Sequence, residues 1–217
     1  MNKNKGFLLV LEGCEGTGKS TVGHWLEEKL KSQGYSVFFT REPGGNNSKV
    51  AEKIRNIILD KENNVLPLTE AYLFAASRAQ HTEEVIIPHL NNNEIVICDR
   101  FVYSSYAYQG KGRNLGIDRI KLINSFITDK IKPDLVLLFD LDPEIGLQRK
   151  HQSRQDFDRL DNEDLEFHKR VREAYLELAR EEPNLIKLIN ASKSLEEVER
   201  EVLEIVKNKL QEVYYYE

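Results

Sequence analysis

Residues 13–20 read Gly-Cys-Glu-Gly-Thr-Gly-Lys-Ser and directly follow the apolar run Phe7-Leu8-Leu9-Val10-Leu11. This spacing fits G-x-x-x-x-G-K-[ST], the phosphate-binding loop that joins a strand to a helix. Its glycines let the backbone turn N–H groups toward phosphate oxygens. Lys19 is predicted to reach the β- and γ-phosphates and Ser20 to ligate Mg²⁺. The residues predicted to bind a nucleoside triphosphate are Gly13, Cys14, Glu15, Gly16, Thr17, Gly18, Lys19 and Ser20.

Composition sets the class of protein. The chain has 217 residues, which suits a single α/β domain over 1–217. Its net charge of −5 argues against a nucleic-acid-binding surface, so the positive charge for a polyanionic ligand is expected to be concentrated in the site. No apolar stretch approaches the roughly 18 residues of a membrane span, and no signal peptide precedes the first strand. We therefore expect a cytoplasmic protein.

Strand-like apolar runs alternate with helical patterns, as in a parallel α/β sheet. Strands are predicted over residues 7–12, 36–40, 94–98, 134–140 and 185–190. Helices are predicted over residues 19–33, 48–60, 68–90, 102–109, 117–130, 143–150, 161–181 and 194–213. Gly34 is expected to end the first helix. The predicted fold is a P-loop NTPase with a five-stranded parallel sheet and helices on both faces.

Charged residues follow the predicted strands where the ligands of open α/β sheets bind. Arg41 follows the second strand, Asp99 and Arg100 follow the third, and Asp140 and Asp142 follow the fourth. Arginine forks match phosphates, and a strand-end aspartate suits Mg²⁺. The pattern predicts that these side chains converge with the phosphate loop.

Phe74 and Arg78 lie four residues apart on the predicted third helix, so they share one face. An aromatic ring beside a guanidinium suits stacking on a nucleobase and hydrogen bonding to its carbonyl edge. The alternative for Phe74 is an ordinary core residue.

Residues 148–159 contain Arg149, Lys150, Arg154 and Arg159 between two predicted helices. Such a charge run is often only a solvated surface. Phosphoryl transfer, however, needs cations over the transferring group, so we interpret about 148–160 as a cationic lid.

A phosphate-binding loop occurs in several classes of protein. A GTPase would need N-K-x-D and D-x-x-G motifs, which do not appear at a predicted strand end. A motor is usually longer, and a non-catalytic nucleotide sensor would need no lid. The lid and the second set of charges favour a small-molecule kinase.

Five ordered blocks carry a family resemblance: residues 12–20, 39–45, 70–81, 99–110, and Asp158-Arg159 followed by 167–171. Together they resemble bacterial thymidylate kinases, which have the nucleoside monophosphate kinase fold and phosphorylate dTMP with MgATP. The resemblance covers nearly the whole chain and also implies a homodimer. Another pyrimidine (deoxy)nucleoside monophosphate kinase remains the alternative.

The resemblance assigns a dTMP-binding set: Glu15, Arg41, Phe74, Arg78, Arg100, Ser105, Tyr108 and Gln109. It implies that Phe74 stacks on thymine, Arg78 bonds O4 and Ser105 meets the N3 edge. Relatives often carry Asn at position 105, so Ser105 implies a weaker or water-mediated contact. Tyr108 would pack against the 2′ carbon and disfavour ribose.

The same resemblance implies the catalytic set Lys19, Arg154, Arg149, Glu15 and Asp99. Arg41 and Arg100 would hold the dTMP phosphate, and Glu15 would approach the acceptor sugar. Asp99, with Ser20, would place Mg²⁺ or the acceptor phosphate.

Some relatives carry an arginine where this chain has Gly16, which implies that the catalytic arginine here comes from the lid. Arg154 is the first choice because it lies mid-lid. Arg149 is the second choice, and Arg159 is interpreted as an ion-pair residue.

Three smaller predictions complete the sequence analysis. The Glu42-Pro43 peptide is predicted to be cis. The family resemblance implies that residues 190–192 border the adenine. Cys14 and Cys98 do not form a zinc pattern, and their thiols are either redox-sensitive or, as we favour, inert and buried.

Overall fold

A parallel sheet forms the centre of the protein. The computed structural model describes residues 6–45, 47–152 and 158–215, and within these ranges five strands form one sheet. The strands are β1 (Phe7–Gly13), β2 (Val37–Arg41), β3 (Ile95–Asp99), β4 (Leu135–Asp140) and β5 (Ile186–Asn190). Their order is β2-β3-β1-β4-β5, and all pairs are parallel. The predicted five-stranded parallel sheet is confirmed, with each strand within one residue of its expected bounds.

Helices cover both faces of the sheet. They are α1 (Lys19–Ser32), α2 (Lys49–Leu59), α3 (Pro67–His81), α4 (Ile87–Asn91), α5 (Val102–Ser105), α6 (Ile117–Thr128), α7 (Pro143–Gln152), α8 (Leu165–Glu181) and α9 (Leu195–Tyr215). Two π-helical segments, Thr82–Ile86 and Tyr106–Gly112, continue α3 and α5. The expected helices on both faces are therefore confirmed.

Alternation along β1 explains the two layers, because successive side chains of a strand point to opposite faces. Phe7, Leu9 and Leu11 belong to the core that contains residues of α1 and α9. Leu8 and Val10 belong to the second core, formed with residues of α3, α5, α6 and α8. Both faces of this strand are buried, which explains its continuous apolar sequence.

The long predicted helix over residues 68–90 is interrupted. Its helical path changes to a π-helical turn at Thr82–Ile86 before α4 begins. Pro88 lies in the first turn of α4, where the missing N–H is tolerated but an uninterrupted α-helical hydrogen-bond ladder is not possible. The prediction of one continuous α-helix was therefore wrong.

Two other predicted boundaries moved. The helix expected at 161–181 begins at Leu165, because the Asp164 side chain caps it by accepting the N–H of Phe167 at 2.6 Å. The helix expected at 102–109 is α-helical only to Ser105 and continues as a π-helix to Gly112.

Two local predictions are confirmed. Gly34 follows the C-cap of α1 with φ of 83°, and the Glu42-Pro43 peptide is cis. Within the described ranges, no helix is both long enough and apolar enough to cross a bilayer.

The strand register places functional residues side by side. Asp99, the last residue of β3, is opposite Arg41 on β2 and Leu11 on β1. The phosphate loop leaves β1 two residues later, after Gly13. The carboxyl ends of three neighbouring strands thus deliver charged side chains to one rim of the sheet.

Candidate active site

The phosphate loop runs from Gly13 to the start of α1. Gly18 is the N-cap of α1 with φ of 80°, so the first turn of that helix faces the loop interior. Lys19 is buried, and its Nζ donates to the carbonyl of Cys14 at 3.3 Å. Burial and the nearby Arg100 lower the pKa of Lys19, although Glu15 and Asp99 oppose this effect. The loop can therefore present N–H groups and an ammonium group to an anion.

The base of α7 packs directly on this loop. Gly16 has φ of 67°, and a Cβ added there would lie 2.0 Å from the carbonyl oxygen of Gly146. An arginine at position 16 is incompatible with this arrangement. The structure thus gives a physical reason for glycine where some relatives have arginine.

Ser20 and Asp99 form the part of the site best suited to a divalent cation. The Ser20 hydroxyl donates to Oδ2 of Asp99 in a short hydrogen bond. Oδ1 of Asp99 is buried and has no hydrogen-bond partner among the described residues. A hydroxyl and a carboxylate with an unused oxygen are ligands that Mg²⁺ prefers, so these residues fit the predicted metal role.

A cavity of about 220 Å³ opens beside the loop, and we call it the acceptor cavity. Phe74 forms part of its wall. The charged residues that line it are Glu15, Lys19, Arg41, Glu42, Arg55, Asp99, Arg100, Lys150 and Asp158. Five of these residues are cations and four are carboxylates, so the cavity brings several cationic side chains together in a chain of net charge −5.

Glu15 and Arg100 form an ion pair at the floor of the acceptor cavity. The hydroxyl of Tyr108 also donates to Glu15, at 3.1 Å, and the Arg100 guanidinium lies 5.2 Å from the Tyr108 ring centroid. Burial alone would raise the pKa of Glu15, but Arg100, Lys19 and Lys150 hold it well below its usual range. Glu15 is therefore a carboxylate that can accept hydrogen bonds at any physiological pH.

The other two arginines share a backbone carbonyl. Arg55 donates to the carbonyl of Pro43 at 2.8 Å, and Arg41 donates to the same oxygen at 3.3 Å. Arg41 also pairs with Glu52 at 3.2 Å. Burial and the nearby Arg41 lower the pKa of Arg55. Two adjacent guanidiniums with one carboxylate between them leave this corner able to attract a phosphate.

Gln109 has a fixed orientation at the far end of the cavity. Its Nε2 donates at 2.9 Å to Glu70, which is fully buried and also accepts from Arg113 and Arg159. An ionised carboxylate only accepts, so the amide nitrogen of Gln109 must face Glu70. The amide oxygen is the atom of this group that does not contact Glu70.

Arg78 is almost completely buried next to the cavity residue Glu42. It is 1% exposed and donates to Glu42 at 2.7 Å, Asn124 at 2.7 Å and Ser105 at 3.1 Å. Neither Arg78 nor Ser105 lines the cavity as the described residues define it. In this structure Ser105 is a partner of Arg78.

Glu12 supports the turn that presents Arg100. Arg100 has φ of 72°, a conformation that non-glycine residues adopt only when their surroundings impose it. The buried carboxylate of Glu12 accepts the N–H groups of Phe101 at 2.9 Å and Ser104 at 3.1 Å. It also accepts the hydroxyl of Tyr175 at 2.8 Å. These bonds fix the backbone on the C-terminal side of Arg100.

The thymidylate kinase family profile matches residues 11–202. The chain belongs to the thymidylate kinase family. The thymidylate kinase of Finegoldia magna is 48% identical over 202 residues, covering 93% of this chain and 98% of that protein. The thymidylate kinase of Thermoanaerobacter pseudethanolicus is 43% identical over 206 residues, covering 95% of this chain and all of the relative.

A solved structure supports the same family. The crystal structure of thymidylate kinase from Ehrlichia chaffeensis superposes with a TM-score of 0.75 at 30% identity, covering 93% of this chain and 99% of that one. The family and its P-loop fold, predicted from the five sequence blocks, are confirmed.

Most of the residues expected from the thymidylate kinase resemblance lie together. Those that line the acceptor cavity are Glu15, Lys19, Ser20, Arg41, Phe74, Asp99, Arg100, Tyr108 and Gln109. A neighbouring cleft of about 220 Å³, which we call the donor cleft, is lined by Glu15, Gly16, Thr17, Gly18, Lys19, Ser20, Thr21, Arg149 and Lys150. Gly13 and Cys14 lie at the start of the loop without lining either space.

The three arginines of the predicted lid have different surroundings in this thymidylate kinase family member. Arg149 lines the donor cleft and donates to the carbonyl of Ala191 at 3.0 Å, which links it to the loop expected near the adenine. Arg154 lies outside the described residues. Arg159 pairs with Glu70 at 2.6 Å, in agreement with its interpretation as an ion-pair residue.

Sequence reasoning missed Glu12, Arg55 and Glu70 as site residues, and it named Lys150 only as one cation of the lid. Arg55 could have been considered as a site residue, because it lies on α2, the helix that directly follows Arg41 in the sequence. Glu70 and Glu12 carried no local signal, because their importance arises from donors far away in the sequence.

Both cysteine thiols are buried. Burial raises the pKa of Cys14 to about 12 and that of Cys98 well above its usual value. The thiol of Cys98 also donates to the carbonyl of Arg100 at 3.0 Å. These features support the prediction that both thiols are inert.

Proposed function

We propose that this protein transfers the γ-phosphoryl group of MgATP to dTMP, giving dTDP and ADP. Membership of the thymidylate kinase family supports the substrates and the reaction. The observation that carries the proposal for this chain is the adjacency of the two spaces. Glu15, Lys19, Ser20 and Lys150 line both the donor cleft and the acceptor cavity, so two phosphates can meet there.

The reaction needs no covalent enzyme intermediate. An oxygen of the dTMP phosphate forms a bond to the γ-phosphorus while the bond to the β–γ bridging oxygen breaks, and ADP leaves with that electron pair. No general base is required, because the attacking oxygen is already anionic. Catalysis therefore consists mainly of positioning and neutralising charge.

The residues divide this work between them. Loop N–H groups and Lys19 hold the donor phosphates, and Arg41, Arg55 and Arg100 hold the acceptor phosphate. Ser20 and Asp99 would hold Mg²⁺, which when bound neutralises negative charge on the phosphate oxygens. Arg149 and Arg154 are the lid arginines proposed to reach the donor nucleotide.

Recognition of the base is proposed to lie at the Phe74–Gln109 end. Phe74 offers a ring for stacking, and the fixed amide oxygen of Gln109 accepts an N–H group. Thymine and uracil carry such a group at N3, whereas cytosine has an acceptor there. The pocket therefore favours 4-oxo pyrimidines.

A coupled ADP-release assay tests the function. The purified protein with MgATP should release ADP with dTMP and with dUMP, and poorly with dCMP, dAMP or dGMP. Release with dCMP at the dTMP rate would favour the alternative pyrimidine kinase. Tight ATP binding without ADP release on any nucleotide would favour a sensor.

We also propose a homodimer, built through one exposed apolar surface. Helices α2, α3 and α6 lie side by side. Their exposed apolar residues are Val50, Ile57, Leu68, Tyr72, Leu122 and Phe126. Phe126 is 84% exposed, an unusual exposure for phenylalanine unless another molecule covers it.

Three further features are proposed. They are a single domain over residues 1–217, a lid at about residues 148–160 and a cytoplasmic location.

A further inference from the structure

Lys150 lies at the boundary between the donor cleft and the acceptor cavity. The donor cleft and the acceptor cavity share Glu15, Lys19, Ser20 and Lys150 among their described lining residues. Two of these four are cationic, and Lys19 belongs to the phosphate loop itself. Lys150 approaches the same boundary from α7, on the lid side.

Asp161 holds the Lys150 side chain in place. The Lys150 Nζ lies 2.6 Å from both carboxylate oxygens of Asp161, whose side chain is 1% exposed. The Asp158 N–H donates to the same carboxylate at 2.6 Å, so Asp161 is fixed by its own turn. The Lys150 side chain is itself only 11% exposed.

Glu15 provides a weaker contact for the same ammonium group. Its Oε2 lies 3.5 Å from the Lys150 Nζ, near the limit for a hydrogen bond. A phosphate oxygen can replace this contact at little cost, while Asp161 keeps the ammonium in position. Burial alone would lower the pKa of Lys150, but Glu15 and Asp161 raise it, so the group is charged throughout the physiological range.

We propose that Lys150 is a catalytic cation, whose ammonium group contacts oxygens of the γ-phosphoryl group as it passes from donor to acceptor. Asp161 is its positioning residue. This inference rests on the proposed phosphoryl transfer. During the step Lys150 keeps its protons: the new P–O bond to the acceptor forms, the bond to the bridging oxygen breaks, and the ammonium offsets charge on the equatorial oxygens. Lys150 thus supplies, on the lid side, the neutralisation that Lys19 supplies on the loop side.

The test compares Lys150→Gln, Lys150→Arg and Lys169→Gln. Glutamine can still donate to Asp161, so the fold should survive without the charge. Lys169 is 54% exposed and pairs with Glu166 at 2.8 Å, so its variant removes one charge away from the site. We expect Lys150→Gln to lower kcat about 100-fold with KM for dTMP changed less than about threefold. Lys150→Arg should recover most of kcat, and Lys169→Gln should match the wild type.

A binding measurement separates this inference from the proposed function. The probe is a bisubstrate analogue that joins adenosine to thymidine through five phosphates, titrated by calorimetry. Lys150→Gln should bind it at least about tenfold more weakly than the wild type, since it loses a charged phosphate contact. Wild-type kcat and analogue affinity in Lys150→Gln, or an equal loss in Lys169→Gln, would overturn the role of Lys150. A wild-type protein that binds the analogue but releases no ADP with dTMP would instead overturn the proposed function.

Discussion

Gly16 of the phosphate loop and Gly146 of α7 pack backbone against backbone. A Cβ on Gly16 would lie 2.0 Å from the oxygen of Gly146, and a Cβ on Gly146 would lie 2.3 Å from the oxygen of Glu15. Neither position can accept a side chain unless α7 moves away. The loop and the base of the lid are therefore assembled as one unit.

The first prediction concerns this contact. Gly16→Ala should lower ATP affinity at least about tenfold, because displacing α7 moves the side chains it carries over the donor cleft. Calorimetry with a non-hydrolysable ATP analogue measures the effect.

Gly34→Ala is the matched control. Gly34 has φ of 83°, and an added Cβ would meet nothing within 4 Å. The Gly34→Ala variant should lose about 1–2 kcal/mol in the free energy of unfolding, because alanine is strained in left-handed backbone. Its ATP affinity should match that of the wild type. Equal ATP affinities in the two variants would contradict the packing argument.

The second prediction concerns base selection. Glu70→Gln lets the Gln109 amide turn over, because an amide at position 70 can both donate and accept. The preference for dTMP over dCMP, measured as a ratio of kcat/KM, should fall at least about tenfold. Glu163→Gln is the control, since Glu163 contacts Arg113 at 2.6 Å but is not a partner of Gln109. A preserved ratio in Glu70→Gln would remove Glu70 from base recognition.

The third prediction concerns the thiols. Burial raises the pKa of Cys14 to about 12 and that of Cys98 well above its usual value, so both thiols are overwhelmingly protonated at pH 8. The folded protein should therefore react negligibly with an aromatic disulfide reagent at pH 8. In denaturant, both cysteines should react rapidly and release two equivalents of the reagent's thiol per chain. The rate of reaction of the folded protein should rise as the pH is raised above 8, because only the thiolate attacks the reagent and its fraction increases with pH. Rapid loss of activity at pH 8, prevented by ATP, would instead restore the redox hypothesis.

The fourth prediction concerns assembly. Phe126→Glu should convert the proposed dimer to a monomer in sedimentation, since a charge would be placed in the buried interface. Leu188→Glu introduces the same charge at a residue that is 50% exposed on β5, and its sedimentation should match that of the wild type. A monomeric wild-type protein would reject the proposal directly.

Most of the fold could be predicted from local sequence patterns. The apolar runs fixed the strands within one residue, and Gly34 correctly marked the end of α1. Pro88 shows the limit of periodicity: the apolar pattern continues through it, but the backbone cannot keep one hydrogen-bond ladder. The interruption was visible in the sequence, yet its resolution as a π-helical turn depends on packing.

The site was harder to predict from the sequence than the fold. Arg41, Asp99 and Arg100 could be placed from strand ends, because parallel strands deliver their ends to one rim. Ser105 and Lys150 could not, since their surroundings are set by contacts over long sequence distances. The partner of Ser105 is Arg78, 27 residues away, and Lys150 meets Glu15 from 135 residues away.

The fully buried carboxylate of Glu70 has a consequence for cooperativity. It binds Gln109, which lines the acceptor cavity, and Arg159, at the C-terminal end of the proposed lid. One buried ionic cluster therefore connects a wall of the acceptor cavity to the proposed lid. Thermodynamic linkage makes such a connection reciprocal: the factor by which dTMP tightens the binding of ATP must equal the factor by which ATP tightens the binding of dTMP.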